Sequence, residues 1–456
     1  MDRYWLVFLC LALVVETSVG SNGFSFKNLG SFCKNDTPNG PPNTLPIEKG
    51  PPRLIRNVEN GSLYQIGVGD DQTWLVHVWG MNGYDYGFAY GTLLAEQINK
   101  LLPNAYEYFE KEILDSVENL KLPEWFKKLV VDEGLGVALD LQNSFVHNYM
   151  DPEIYNELHG ISDGAKIDYK LLVRLHMFGE LTRAHCSYYG LWGNATLGGK
   201  TLQMRGFDWD MGANLQAYPV ITIYHPRTPT LGHAFTNIAW AGYIGVLSGL
   251  SSTRLGMTSI GIEFPDDTFG SESMTGQPFI FVSRSILQYS DTLDDALSYI
   301  ADVRRTCHLV MGIADGKLQT ARMIQYSHSK VEFFDDLNLQ PNTEWHPRIP
   351  HAVYDGMDWL CPSYQYRLYQ QIMSQYGQIT PESTIENITA VVKTGDVHAA
   401  IYDLTDNILY LANGRDLNKP DAGPKPGYQR QFVRLDLNIE YARERPTTTV
   451  DSSSFE

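Results

Sequence analysis

Apolar residues recur three and four apart from residue 105 to residue 178, as at Val131, Leu135, Ala138 and Leu141, and this spacing predicts a mainly helical stretch. Within it Asp151-Pro152 opens a further helix, with Asp as cap and Pro in the first turn. Ahead of that stretch, Trp74 to Trp79 reads as a strand, and Gly83 to Ile98 passes from Gly/Tyr-rich turn chemistry into a helix ending near Asn99. The pattern changes at Cys186. Short β-rich runs then alternate with turns: 201–207, 220–224, 244–250 and 257–262. An amphipathic helix over 279–300, broken at Asp291-Thr292, interrupts them. Strands resume at 309–313 and 318–326, helices return at 364–376 and 382–392, and the last strands cover 398–404, 408–411 and 432–435. Residues 38–52, rich in Pro, Gly and Asn, read as a surface arm. Helices set between groups of antiparallel-type strands predict an α+β fold, with stacked sheets and helices outside.

Composition narrows the setting. Trp5 to Val15 is an unbroken apolar run behind Arg3, followed by the small residues Ser18, Val19 and Gly20; residues 1–20 therefore read as a secretory signal, too short to span a bilayer. Asn35, Asn60, Asn194 and Asn387 head Asn-x-Ser/Thr acceptors, which agree with that route and with a secreted or lysosomal glycoprotein. The net charge of −18 argues against nucleic acid and anionic membranes as partners. The remaining chain divides into a mainly helical region, 21–185, and a β-rich region, 186–456. After Cys10 leaves with the signal, Cys33, Cys186, Cys307 and Cys361 remain, too few for a disulfide scaffold. The 12 histidines show no ligand spacing, so neither metal nor cofactor is expected.

The window from Cys186 to Asp210 concentrates chemistry. A turn within Gly193 to Gly199 folds a second strand back beside the one that Cys186 opens, and that strand ends in Arg205-Gly206-Phe207-Asp208. Thiol, guanidinium and carboxylate then share one strand end. His185 is a poor base for the thiol, since neighbours on a strand point to opposite faces. Cleavage of the His185–Cys186 bond solves the problem: the new α-amino group, with a pKa of about 7.7 to 8.0 against about 8.5 for the thiol, can take its proton. Asp208 can orient that ammonium and Arg205 can favour the thiolate.

These residues resemble the amino-terminal-nucleophile hydrolases with a cysteine nucleophile, the group of penicillin acyltransferase, acid ceramidase, N-acylethanolamine-hydrolysing amidase and bile-salt hydrolase. The resemblance extends through Gly83-x-x-Tyr86-Gly87-x-x-x-Gly91, Glu157-Leu158-x-Gly160-Ile161-x-x-Gly164-Ala165, Cys186-Ser187, Arg205-x-x-Asp208-Trp209, Gly245 to Gly256, Phe281-x-x-Arg284 and Thr394 to His398. It implies a four-layer αββα sandwich with the nucleophile opening a central strand. It also implies a self-cleaved amidohydrolase or acyltransferase that forms a thioester on Cys186 with a small-molecule or lipid amide. The α and β chains of the precursor would stay associated. Two positions depart from the family pattern. Gly249-Leu250-Ser251-Ser252 stands where Gly-Met-Asn is usual, and Cys307-His308 where a second asparagine often opens a strand; Ser251 and His308 are the expected substitutes as oxyanion donors. A bridge from Cys33 to Cys307 or Cys361 would link the two chains.

Two other readings compete: a catalytically silent secreted binding protein on the same scaffold, motivated by the missing asparagines, and a lipid acyl hydrolase of the phospholipase B-like kind. A serine hydrolase is a further rival, because Gly160-Ile161-Ser162-Asp163-Gly164 spells G-x-S-x-G. That motif needs a buried strand before it, and a capped, polar, helix-like stretch precedes it instead.

Overall fold

The computed structural model describes residues 39–117, 124–181, 185–261, 267–357, 364–419 and 423–447. In chain order the strands begin with β1 (Arg53–Val58), β2 (Gly61–Ile66), β3 (Thr73–Gly80), β4 (His185–Gly193), β5 (Gly199–Asp208), β6 (Pro219–Pro226), β7 (Phe235–Trp240) and β8 (Ser248–Ser251). They continue with β9 (Leu255–Ile260), β10 (Leu309–Asp315), β11 (Thr320–Tyr326), β12 (Val331–Phe334), β13 (Ala352–Met357), β14 (His398–Asp403), β15 (Ile408–Asn413) and β16 (Val433–Asp436). The helices that matter for the site are α1 (Gly83–Leu93), α2 (Ala95–Ser116), α3 (Glu124–Glu133), α4 (Leu135–Val146), α5 (Pro152–Ala165), α6 (Tyr169–Leu181), α7 (Phe279–Tyr289), α8 (Leu293–Asp302) and α9 (Tyr364–Ser374).

Two sheets face one another. The larger has the order β1-β2-β3-β6-β7-β8-β9-β10-β11-β12 and the smaller β13-β4-β5-β14-β15-β16. β4 and β5 lie against β9 and β10 across the interior. Helices α1, α7 and α8 cover the outer side of the larger sheet; α9 and the helical run from Pro381 to Val392 cover the smaller. The expected α+β, four-layer αββα sandwich is therefore the fold observed. The interior is filled from both sheets: Tyr188 lies so close over Gly312 that a Cβ there would meet its ring at 2.2 Å, and Gln203 reaches across to Thr258 at 2.9 Å.

The hairpin on which the chemistry depends forms as its spacing predicts. Gly193, Gly198 and Gly199 take φ of 52°, 72° and 72°, the left-handed region in which glycine carries no Cβ penalty. The register then sets Cys186 against Phe207, Tyr188 against Arg205 and His185 against Asp208.

Several expectations need correction. The mainly helical region ahead of Cys186 also carries β1 and β2, unforeseen, which form the edge of the larger sheet; the exposed Arg53, Arg56 and Asn57 hide any alternation. The expected surface arm is docked at Asn43, which is buried and donates to the carbonyls of Tyr428 and Arg430 at 3.0 and 2.9 Å. The run 244–250 is a strand only from Ser248. The helix expected over 279–300 is two helices, α7 and α8, and the second is capped by Thr292 through a reciprocal box with Asp295.

Candidate active site

Cys186 sits at the start of β4, fully buried in the intact chain. Residues opposite one another on neighbouring strands share a face, as do residues two apart along one strand. Cys186, Tyr188, Arg205, Phe207 and His398 therefore point inward, between the sheets, while Ser187, Gly206 and Asp208 point outward, toward α9. Sequence reasoning placed thiol, guanidinium and carboxylate at one strand end. They are there, with the strand pair itself separating the carboxylate from the other two.

On the inner face the thiol lies 3.9 Å from the carbonyl oxygen of Asp208. Burial raises its pKa, the guanidinium of Arg205 pulls it back, and the Asp208 charge pushes it up. Arg205 is buried; its Nε donates to Ser248 Oγ at 3.4 Å, its Nη1 to the Gly206 carbonyl at 3.2 Å, and its Cζ lies 4.9 Å from the centre of the Phe207 ring.

On the outer face Asp208 is held by the turn before β14. Its Oδ1 accepts from the backbone N–H of Gly395 and of Asp396, both at 2.7 Å, and its Oδ2 from Thr394 Oγ1 at 2.7 Å. Thr394 is also 2.5 Å from Ser187 Oγ, tying β4 into the same cluster. Burial pushes the Asp208 carboxyl up, and these donors oppose the push. Asp396 beside it is pushed up to about 8, by burial first and then by the Asp208 charge. With the donors all on Asp208, the charge of the pair resides there and the proton on Asp396.

A narrow apolar cleft of about 60 Å³ opens on the Arg205 side. Leu102, Ala105 and Phe109 from α2, with Leu175 and Phe178 from α6, build one wall; Phe207, Trp209, Trp240, Tyr243 and Phe279 build the other. The two walls come from opposite sides of Cys186 in sequence, and Phe109 stacks on Trp209 at 4.9 Å where they meet. Polar atoms come from Arg205, Ser259 and His308.

The two expected oxyanion donors separate. His308 lines the cleft, its ring bridging the Gly270 carbonyl and Glu272 Oε1, each at 3.0 Å. Ser251 does not reach it: its hydroxyl pairs with Thr253 Oγ1 at 2.8 Å in the turn to β9. Ser248, three residues earlier, is the serine beside Arg205; an odd offset along a strand selects the opposite face. Of the acceptor asparagines, Asn60 turns β1 into β2, Asn194 is exposed in the β4–β5 turn and Asn387 lies half-buried between Thr384 and Thr389. Asn35, Cys33, Cys361 and the signal segment lie outside the described residues, and with them the expected bridge from Cys33 to Cys307 or Cys361; Cys307 itself is buried in the cleft wall.

Two of the motifs behind the resemblance do structural work that sequence reasoning missed. Glu157 of α5 and Arg284 of α7 form a buried ion pair at 2.5 Å, and Tyr224 donates to the same carboxylate at 2.9 Å. Gly83, Gly87 and Gly91 of α1 face Gly160 and Gly164 of α5, where any Cβ would meet the opposing backbone at 2.6 Å or less. The G-x-S-x-G pentapeptide thus belongs to a helix–helix seam. Ser162 lies inside α5 and donates to the Ile167 carbonyl at 2.7 Å, which removes the strained elbow that a serine nucleophile needs.

No model of a protein family matches the sequence. The chain is 32% identical over 414 residues to protein dcd1B of Dictyostelium discoideum, covering 88% of this chain and 81% of that protein. It is 33% identical over 418 residues to protein dcd1A of the same organism, covering 88% and 92%. Among solved structures, a Caenorhabditis elegans N-acylethanolamine-hydrolyzing acid amidase ortholog aligns with 55% of this chain and 100% of its own, at 14% identity and a TM-score of 0.36. Penicillin V acylase from Agrobacterium tumefaciens aligns with 55% and 92%, at 11% identity and a TM-score of 0.34.

Proposed function

We infer, for a chain that belongs to the family of the Dictyostelium proteins dcd1A and dcd1B, that it is a self-processing thiol amidohydrolase or acyltransferase with Cys186 as nucleophile. One observation carries the reading: Cys186 opens an inner strand with Arg205 on its own face, a fixed Asp208 carboxylate on the other, and an apolar cleft beside the guanidinium.

In the first step the Cys186 sulfur attacks the His185 carbonyl carbon, the peptide bond to Cys186 breaks, and its nitrogen takes the thiol proton. Water then cleaves the thioester, leaving a carboxylate on His185 and a free α-amino group on Cys186. In turnover that amine accepts the thiol proton, the thiolate attacks the amide carbonyl of the substrate, and the amine product leaves with the proton. Water or an acceptor amine resolves the thioester. Arg205 stabilises the thiolate, and Asp208 supplies the negative charge that favours the ammonium. The aromatic and aliphatic cleft suits an acyl group, so the substrate class is the amide of an acylated small molecule or lipid.

The test is a reducing gel of the secreted protein with amino-terminal sequencing of each band. A fragment beginning Cys-Ser-Tyr-Tyr-Gly, absent in Cys186→Ala, supports the reading. A single intact chain, even after incubation at acid pH, overturns it in favour of a binding protein on this scaffold.

A further inference from the structure

Behind Arg205, on the side away from the cleft, stand two buried polar side chains that the chemistry above does not use. Cys186, Phe207 and His398 form one row across β4, β5 and β14, so the His398 ring faces inward beside the thiol's own neighbour, 5.0 Å from the Phe207 ring. Ser248 reaches toward it from β8 of the opposite sheet. Ser248 and His398 are 0% and 2% exposed. Ser248 Oγ lies 2.9 Å from His398 Nε2 and accepts from Arg205 Nε at 3.4 Å.

Ser248 accepts from the guanidinium and keeps its own proton and a second lone pair, so it can pair with His398 Nε2 in either tautomer of the ring. The imidazole is neutral: burial and the Arg205 charge hold its pKa down at about 3. A histidine held this low is a poor general base, so the short contact does not by itself make Ser248 a nucleophile. What remains is orientation. Among the described residues the guanidinium is otherwise held by the Gly206 carbonyl and the Phe207 ring face, and it lines the cleft.

We propose that Ser248 and His398 are positioning residues that clamp the Arg205 guanidinium against the Cys186 sulfur. The proposal rests on the nucleophilic reading of Cys186. Neither residue touches the reacting atoms; both act through Arg205.

The test is the rate of Cys186 alkylation by iodoacetamide against pH in the secreted protein, read by mass spectrometry of the peptide that begins at Cys186. The groups that titrate with the thiol, namely Asp208 and the freed α-amine, and the fixed charge of Arg205 are common to all variants. A difference between variants therefore reports the clamp. Ser248→Ala and His398→Leu are expected to move the midpoint up by about one pH unit and slow alkylation about tenfold at pH 6, the worth of one hydrogen bond to a charged group. His398→Gln, whose amide oxygen can accept the Ser248 proton, is expected to stay within about twofold of the unchanged protein. The Leu and Gln variants disturb packing alike, so equal slowing in both marks a packing role and overturns the proposal. An unmoved midpoint in Ser248→Ala and His398→Leu, in a protein that is cleaved normally, also overturns it and leaves the function reading standing. If Ser248→Ala fails to accumulate, the Leu and Gln pair decides alone. An unchanged protein that is neither cleaved nor alkylated overturns both readings.

Discussion

The two faces of the β4–β5 hairpin solve different electrostatic problems with the same few residues. The inner face holds a thiol and a guanidinium in an aromatic surround, and among the described residues no carboxylate is hydrogen-bonded to that guanidinium. The outer face holds a carboxylate that takes donors from Thr394, Gly395 and Asp396. A cation near a thiol lowers its pKa only while no closer anion neutralises that cation. Putting Asp208 on the far side of the sheet keeps it from pairing directly with Arg205 while leaving it beside the Cys186 backbone. The separation follows from the period of two along a strand, since Arg205 and Asp208 are three residues apart.

Three experiments strain that division. The largest effect is expected at Gly206, where a Cβ would meet Thr394 Oγ1 at 1.9 Å and Ser187 Oγ at 2.7 Å. Gly206→Val should push β5 from the Thr394 turn, cost about 3 kcal/mol in thermal or denaturant unfolding, and abolish cleavage. A chain that unfolds like the original would show that the outer face is not packed as described. Next is a pair compared in one assay. Asp208→Asn should cost about 2 kcal/mol, because one amide oxygen replaces two and an N–H₂ turns toward donors. Arg205→Gln should change stability by less than about 1 kcal/mol, since losing a buried charge also relieves its desolvation, yet should slow thiol alkylation. Stabilities in the double variant that add to within about 0.5 kcal/mol would establish that the faces are independent; strong coupling would join them.

The smallest effect is a slope. Asp396 is an acid whose folded pKa is raised, so between its ordinary value near 4 and about 8 the folded chain binds more protons than the unfolded one. Stability therefore falls as pH rises through that window. Asp396→Asn should flatten the fall by about 1 to 2 kcal/mol, measured as denaturation midpoints at pH 5 and pH 8. An unchanged slope would move the shared proton elsewhere.

The sequence is most informative where local rules act alone. Glycines at 193, 198 and 199 announce a turn, Asp151-Pro152 a helix start, and the Asp291-Thr292 break a change of helix. It is least informative where partners are distant or patterns mixed. β7 (FTNIAW) carries Thr and Asn yet is wholly buried, and β13 (AVYDGM) contains both Asp and Gly, so neither reads as a strand. At the site, Cys186, Arg205 and Asp208 were legible because one hairpin brings them together. Ser248 was not: the choice between it and Ser251 turns on which face of β8 looks inward, and a four-residue strand hidden in a loop-like run gives no register. The contact between Glu157 and Arg284 joins helices on either side of Cys186, and only the assembled layers reveal it.

One feature of the larger sheet bears on what cleavage would leave behind. β3 and β6 run parallel, paired from Trp74 and Val220 to Gly80 and Pro226, and they come from opposite sides of Cys186. Under the self-processing reading, this ladder is written while the polypeptide is continuous, when a tether supplies the two strands to each other at an effective concentration no dilute mixture of fragments can match. Denaturation would then erase something the mature protein has no means of rewriting. A gel would count two polypeptides, a centrifuge one particle, and refolding from separated chains would fail for want of a connection that the enzyme itself had removed.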